Sequence, residues 1–250
     1  MDRYPIEHGV RAGESIILLH GGNVGNWMWE PQVQGLAGRH VITPDVVAFG
    51  ARSGERWPGL AGAADDIADI IRERAAEGRA HVVGLSMGGV IGVHLAMRYP
   101  DVVRSCMVTG AAMTGIGGWE RRLAEMQLRS WDRRWFWSVQ AAMFRIPDDS
   151  RELFVSDGMG VAKDAAMRMY GEIFAGAMPE GRSRYTGPML AIAGARESRS
   201  VAAAFPSLTA AMPQTRTWIA PGMRHVWSIQ DPELFTRTIV DFVDRDVVPV

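Results

Sequence analysis

A single lysine, Lys163, and a single cysteine, Cys106, serve all 250 residues of this chain. The other basic residues are arginines, and 27 Lys and Arg stand against 28 Asp and Glu for a formal net charge of −1. That balance offers no electrostatic case for nucleic acid or for an anionic membrane as partner. One cysteine excludes an internal disulfide and suits a reducing cytosol. Its setting, Val102-Val103-Arg104-Ser105-Cys106-Met107-Val108, is apolar, and there a buried structural thiol is expected rather than a nucleophile. Nowhere is an apolar run long enough to span a bilayer. The opening Met1-Asp2-Arg3-Tyr4-Pro5-Ile6-Glu7-His8 is too polar for a signal peptide, so a cytoplasmic protein is expected. Metal-ligand clusters, phosphate-binding glycine loops and dinucleotide fingerprints are missing as well. Gly21-Gly22 leads into Asn23-Val24 and not into G-x-x-G at a helix start. No cofactor and no metal are expected.

What is present fits one enzyme-sized domain, with 47% hydrophobic and 22% charged residues over 27.4 kDa. Short apolar runs at 15–19, 40–43, 80–85, 102–109, 189–193 and 215–220 read as strands. Helical patterns at 60–77, 87–99 and 232–245 alternate with them. Such alternation implies an α/β fold with a mostly parallel sheet flanked by helices on both faces. Between 112 and 187 the alternation stops. That stretch reads as helical, with tryptophans at 119, 131, 135 and 137 and seven methionines. The expected organisation is a core of 1–111 and 188–250 carrying an inserted helical cap, 112–187.

The most informative segment is Gly84-Leu85-Ser86-Met87-Gly88, between the apolar Ala80-His81-Val82-Val83 and the small-residue run that begins at Gly89. A strand, a sharp turn and a helix follow one another there. Glycine two residues before and two after Ser86 lets the turn pass close to its neighbours. The hydroxyl is then held out at a helix N-terminus, where the dipole favours developing negative charge. Oxyanion stabilisation needs two backbone N–H groups. Met87, directly after the serine, offers one. The loop His20-Gly21-Gly22-Asn23 after an early strand offers the other, expected at Gly22, although the same residues also read as a simple tight strand exit.

Six histidines compete for the role of general base. His8 lies in a polar segment, and His40 and His81 stand at strand starts, on the wrong edge of the sheet. His94 falls inside the helix after the Ser86 turn, and His20 is placed to orient the oxyanion loop. His225, in Pro221-Gly222-Met223-Arg224-His225 after the last strand, is left as the base. The acid that fixes its tautomer is expected after the penultimate strand, where Glu197 is the one carboxylate in the turn Gly194-Ala195-Arg196-Glu197. The plainer alternative makes Glu197 a solvated loop residue beside Arg196 and Arg199.

These segments, with Trp27-Met28-Trp29, Pro44-Asp45, Phe49-Gly50-Ala51-Arg52-Ser53, Arg98-Tyr99-Pro100-Asp101 and Ile239-Val240-Asp241-Phe242, resemble the α/β-hydrolase superfamily in order and spacing. The branch they are most similar to holds small cap-bearing esterases, lactonases and C–C hydrolases. Two departures stand out. Glu197 occupies a position where that family usually has aspartate. The short N-terminus leaves room for little more than one strand before Ser15, so one or both of the family's leading antiparallel strands are expected to be missing. Relatives that hydrolyse haloalkanes or epoxides carry an elbow aspartate, and here the position is serine.

The resemblance implies attack by Ser86 on a carbonyl, with His225 as base and hydrolysis of the resulting acyl-enzyme. The expected partner is a small hydrophobic substrate: an ester, lactone or thioester, aromatic and polyketide-like ones included. Asn23 and Trp27 beyond the oxyanion loop, with Trp131 and Trp135 in the cap, are the candidate substrate contacts, and Trp29 is expected near the entrance. The spacing of Trp131 and Trp135 also fits a helix merely packing on the body. Two other classes remain open. One is a non-hydrolytic enzyme on this scaffold, such as a cofactor-free lyase, cyclase, acyltransferase or perhydrolase. The other is a ligand-binding receptor. Oligomeric state is not encoded in any of these features.

Overall fold

The computed structural model describes residues 5–247, apart from the side chain of Glu120. The outermost residues of the expected core, 1–4 and 248–250, lie outside the described residues, as does part of the N-terminal segment read above.

In chain order the elements are β1 (Ile6–His8), β2 (Ser15–Leu19), α1 (Glu30–Gly35), β3 (His40–Thr43), α2 (Gly59–Arg74), β4 (Ala80–Leu85), α3 (Met87–Arg98) and β5 (Val103–Thr109). Four helices follow: α4 (Gly118–Leu128), α5 (Arg134–Met143), α6 (Asp148–Gly160) and α7 (Lys163–Ala175). The chain closes with β6 (Met189–Gly194), α8 (Arg199–Ala202), α9 (Phe205–Ala211), β7 (Thr215–Ala220), α10 (Trp227–Gln230) and α11 (Pro232–Arg245). β2, β3, β4 and β6 are buried at every position, as strands covered on both faces must be, which is why they read as continuous apolar runs and not as alternating ones.

The seven strands are ordered β1-β3-β2-β4-β5-β6-β7. Only β1 runs antiparallel, pairing Ile6 with Thr43, so one leading antiparallel strand is found among the described residues. β3 lies outside β2, and the chain then crosses back to lay β4 on the other side of β2. This reversal opens a crevice at the carboxyl ends of β2 and β4, the general ligand position of open α/β sheets. The loop after β2 begins at His20 and the turn after β4 holds Ser86, so both predicted segments arrive at the same crevice.

The sequence pattern is followed closely at both ends. α11 matches 232–245, with Pro232 in its first turn and Asp231 Oδ1 accepting the Leu234 N–H at 2.9 Å. The helix expected over 60–77 stops earlier, at Arg74. Ala75 is extended, and the following short turn puts Glu77 at φ 56° and Gly78 at φ 64°, backbone that no helix continues through. α8 and α9 are too short, at four and seven residues, to show a helical period in sequence.

α4 to α7 fill the gap between β5 and β6. They are joined to the body by two tryptophan–carboxylate bonds. Trp27 Nε1 donates to Asp157 on α6 at 2.6 Å, and Trp57 Nε1 donates to Glu172 on α7 at 2.8 Å. The other oxygen of Glu172 accepts the N–H of Leu60 at 2.9 Å, so α7 also caps the first turn of α2. Within the insertion, Trp131 and Trp137 meet edge to face with centroids 4.5 Å apart. No helix among the described residues is long and apolar enough to cross a membrane.

Candidate active site

Ser86 sits between β4 and α3 at φ 56° and ψ −118°, backbone that a non-glycine residue holds only under constraint. The constraint is visible on both sides. A Cβ on Gly84 would fall 2.2 Å from the Gly88 carbonyl oxygen, and one on Gly88 would fall 2.1 Å from that of Leu19. The Ser86 N–H donates to Thr109 O on β5 at 2.8 Å, and its carbonyl accepts from Val90 at 3.0 Å. The spacing of glycine, serine and glycine therefore follows from close backbone approach between strand, turn and helix. The serine side chain is left reachable from the crevice.

The loop after β2 is fixed by His20. Its Nε2 accepts the Val46 N–H at 2.9 Å, so the proton lies on Nδ1, which donates to the Gly21 carbonyl at 2.7 Å. Burial lowers the His20 pKa, against a smaller opposing pull from Asp45, and holds the ring neutral in this tautomer. Gly22 is packed so tightly under α7 that a Cβ there would approach Met169 Cε to 2.9 Å. The amide N–H groups of Gly22 and Met87 have no acceptor among the described residues.

The third segment brings Glu197 and His225 together. His225 Nδ1 lies 2.5 Å from Glu197 Oε1, and Glu197 Oε2 accepts the Gly194 N–H at 2.7 Å. The carboxylate side chain is 1% exposed, so Glu197 is not the solvated loop residue of the plainer reading. The loops that carry the pair are stitched together, with Arg196 N–H on Met223 O at 2.8 Å and Ala195 N–H on Ala220 O at 3.0 Å. Behind His225, the buried Trp227 anchors the turn through Nε1 to Thr109 Oγ1 at 2.8 Å.

Gly110, directly after β5, was not singled out from sequence. It has φ 67°, and a Cβ there would come within 2.8 Å of His225 Cε1. The imidazole takes the space that a side chain at this position would need, and no sequence signal distinguishes this glycine from an ordinary strand exit. Gly110→Ala is expected to displace the imidazole and to lower kcat by about 10²-fold, the scale of a small misplacement of a catalytic group. The variant's Tm should also fall, since both the clash and the positive φ oppose alanine. Full activity in Gly110→Ala would show that His225 tolerates another position.

Ser86, Gly22, Asn23, Trp27 and His225 share the wall of one cavity of about 70 Å³. The helical insertion contributes Phe144, Ile146, Phe154 and Tyr170 to it, none of which the sequence identified. Trp131 is absent from this wall and lines the adjoining compartment, its Nε1 donating to Val161 O at 3.1 Å. Trp135 is 61% exposed and lines neither, because Arg134–Met143 turns Phe136 and Trp137 inward instead. Trp29 is not at the entrance: it is fully buried against Phe235.

Asp157, which receives the Trp27 indole, and Asp45 converge on Gly25, where a Cβ would lie 3.2 Å and 2.9 Å from their oxygens. Burial raises the Asp157 pKa above the ordinary range; the Trp27 bond opposes this and the Asp45 charge adds to it. A carboxyl with a raised folded-state pKa stabilises fully in acid, and that contribution is lost as pH climbs from about 4 through the raised value. Asp157→Asn cannot ionise. The Tm difference between variant and parent is therefore expected to move in the variant's favour from pH 4 to pH 7, as read by thermal scans. A difference that does not change with pH would contradict the raised value.

The same residue types recur at the opposite edge of the sheet. Ser15 Oγ lies 2.8 Å from His40 Nδ1, and His40 Nε2 lies 3.3 Å from Glu7. Likewise, His81 bridges Ser105 Oγ at 2.8 Å and Glu14 at 2.9 Å. Ser15 is fully buried and its oxygen already accepts the Ala76 N–H at 2.7 Å, so this cluster ties strand starts to the end of α2. Cys106 is buried, with its thiol pKa pushed up to about 12 by desolvation. Among the described residues no group of three or more His, Cys, Asp or Glu side chains could hold a metal ion.

The sheet order and the serine turn define an α/β-hydrolase architecture. The chain belongs to the alpha/beta hydrolase family, whose model matches residues 16–238. Among curated relatives, the protein named "Putative carbamate hydrolase RutD" of Azorhizobium caulinodans is 36% identical over 122 residues, 48% of this chain and 42% of that protein. "Lipase 1" of Psychrobacter immobilis is 33% identical over 110 residues, 42% of this chain and 34% of that protein. The chain spans about two fifths of the length of the first of the curated relatives it matches. Among solved structures, the enol-lactonase from Burkholderia xenovorans LB400 superposes with a TM-score of 0.73 at 23% identity, covering 96% of this chain and 95% of that one. A hydrolase from Pseudomonas aeruginosa PA01 gives 0.75 at 21% identity, with 96% and 93% covered.

Proposed function

We propose that this protein is a serine hydrolase that cleaves a hydrophobic carboxylic ester, lactone or thioester through an acyl-enzyme on Ser86. The observation that carries this reading is the convergence on one cavity of the strained Ser86 turn and a histidine held by a buried carboxylate.

Each chemical step has a group suited to it. Glu197 accepts the proton-bearing Nδ1 of His225, which leaves Nε2 as the base for the Ser86 hydroxyl. The serine oxygen attacks the substrate carbonyl. The negative charge that develops is met by the unoccupied N–H groups of Gly22 and Met87, the latter at the positive end of α3. His225 then passes its proton to the departing oxygen or sulfur. Water, deprotonated by the same nitrogen, releases the acid and restores Ser86. The helical insertion acts as a cap: Phe144, Ile146, Phe154 and Tyr170 supply apolar walls that favour a hydrophobic substrate and exclude water.

The test is release of p-nitrophenol from p-nitrophenyl esters of rising acyl length, combined with intact-mass and peptide analysis after a fluorophosphonate. Turnover with a single adduct on Ser86 is the expected result. Silence toward p-nitrophenyl esters, lactones and thioesters alike would overturn hydrolysis and favour a lyase, cyclase or ligand-binding role on the same scaffold.

A further inference from the structure

A second compartment adjoins the reaction cavity inside the cap. It encloses about 220 Å³ and is lined by α4, α5 and α7 and the residues that flank them. The two spaces share Asn23, Phe144 and Tyr170 on their walls. The rest of the larger wall is mainly aromatic, with Trp131, Phe136 and Trp137, and carries the amides of Gln127 and Gln140.

The volumes decide what each space can hold. An apolar protein cavity of about 150 Å³ takes up a benzene molecule. At about 70 Å³, the space beside Ser86 is too small for a ring and fits the reacting carbonyl with a short substituent. The compartment exceeds the benzene-sized cavity by enough for one substituted ring, not for two. Its aromatic walls suit such a ring, since edge-to-face contacts add to plain area burial.

Phe144 indicates which arm of the substrate enters. Its ring lies 6.2 Å from the His225 imidazole, tilted by 33°, and it also borders the compartment. The leaving oxygen must meet His225 to receive its proton. A group attached to that oxygen therefore faces Phe144 and the compartment that Phe144 also borders. That assignment leaves the acyl arm to the side of the smaller space bordered by Trp27 and Met28.

We infer that the cap compartment is a leaving-group subsite, and that the substrates are short-chain acyl esters of alcohols bearing a single aromatic ring. This rests on the serine hydrolase reading above. For an acetate, the acetyl group passes to Ser86 while the ring-bearing alcohol leaves with the proton from His225. Water then releases acetate, so that ester and water become acid and alcohol.

Benzyl acetate, ethyl acetate and ethyl benzoate form the test set, because the alcohol leaving groups differ little in acidity. The kcat/KM for benzyl acetate is expected to exceed that for ethyl acetate by roughly 10–100-fold, the scale of apolar pocket discrimination. It should exceed that for ethyl benzoate as well. Ala124→Phe, which fills the compartment from α4, is expected to reduce the benzyl-to-ethyl ratio at least tenfold. Binding gives a readout that does not need turnover. Benzyl alcohol should change the tryptophan fluorescence of the Ser86→Ala protein, through Trp131 and Trp137, and Ala124→Phe should weaken that response.

Turnover that depends on Ser86 but shows no ring preference would overturn the subsite while leaving the hydrolase reading intact. Preference for ethyl benzoate would place the ring on the acyl side and overturn it equally. If no ester is turned over, the hydrolase reading and the substrate assignment fall together. Benzyl alcohol binding blocked by Ala124→Phe would then report an aromatic ligand site in a protein of different activity.

Discussion

Ser86→Ala is expected to lower kcat on p-nitrophenyl esters by about 10⁴–10⁶-fold, with KM changed little. The loss is large because in the proposed mechanism the hydroxyl is the bond-forming atom, and burial pushes the pKa of the Tyr170 phenol in the same wall up to about 12. Cys106 is buried in β5 with its thiol pKa pushed up to about 12, and Ser15 is fully buried at the other edge of the sheet. Catalysis that survives should come from the Gly22 and Met87 amides and from substrate positioning. Alanine accepts the same backbone as serine, so a thermal scan should show the variant folded. Initial rates and single-turnover burst amplitudes measure the effect. Activity within tenfold of the parent would remove Ser86 from the mechanism.

Glu197→Gln carries the second large effect, an expected loss of about 10⁴ in kcat. Glutamine keeps the shape and can still accept the Gly194 N–H now bonded to Oε2. It cannot hold a proton on His225 Nδ1 as a carboxylate does. An amide N–H facing that nitrogen selects the tautomer whose Nε2 already carries hydrogen, and the base is lost. In the proposed mechanism the carboxylate also stabilises the imidazolium formed during attack. Glu197→Asp retains the charge on a shorter arm and is expected to keep more activity than Glu197→Gln. Steady-state rates for the three proteins, with Tm as a control for folding, decide the matter. A loss under tenfold in Glu197→Gln would make the 2.5 Å contact structural.

Much of this architecture was legible in sequence because the relevant constraints are local. The glycines flanking Ser86 sit where a Cβ would fall 2.2 Å and 2.1 Å from backbone oxygens, so no side chain is accommodated there. Continuous apolar runs record strands buried on both faces, and Asp231-Pro232 records a helix start. Even Glu197 could be picked out, since one short turn offered one carboxylate.

The helical insertion is less legible. Trp131 and Trp135 look equivalent four residues apart, yet one is buried and the other 61% exposed. Trp131 precedes the helix that carries Trp135, so the helical period assumed for the pair does not join them. Tyr170, Phe144 and Gly110 matter through what lies opposite them in space, and no residue near them in sequence announces it.

By itself, then, the sequence determined the α/β scaffold, the strained serine turn and the histidine and carboxylate that follow the last two strands. Those depend on hydrophobic period, on turn chemistry and on the order of elements along the chain. The tertiary structure alone decided that Glu197 is buried against His225, that Gly110 clears room for the imidazole, and that the helical insertion closes over a small space beside Ser86 and lines a larger one next to it. Each of these is set by packing between segments distant in the chain, where a neighbour's volume and not a residue's own propensity fixes the outcome.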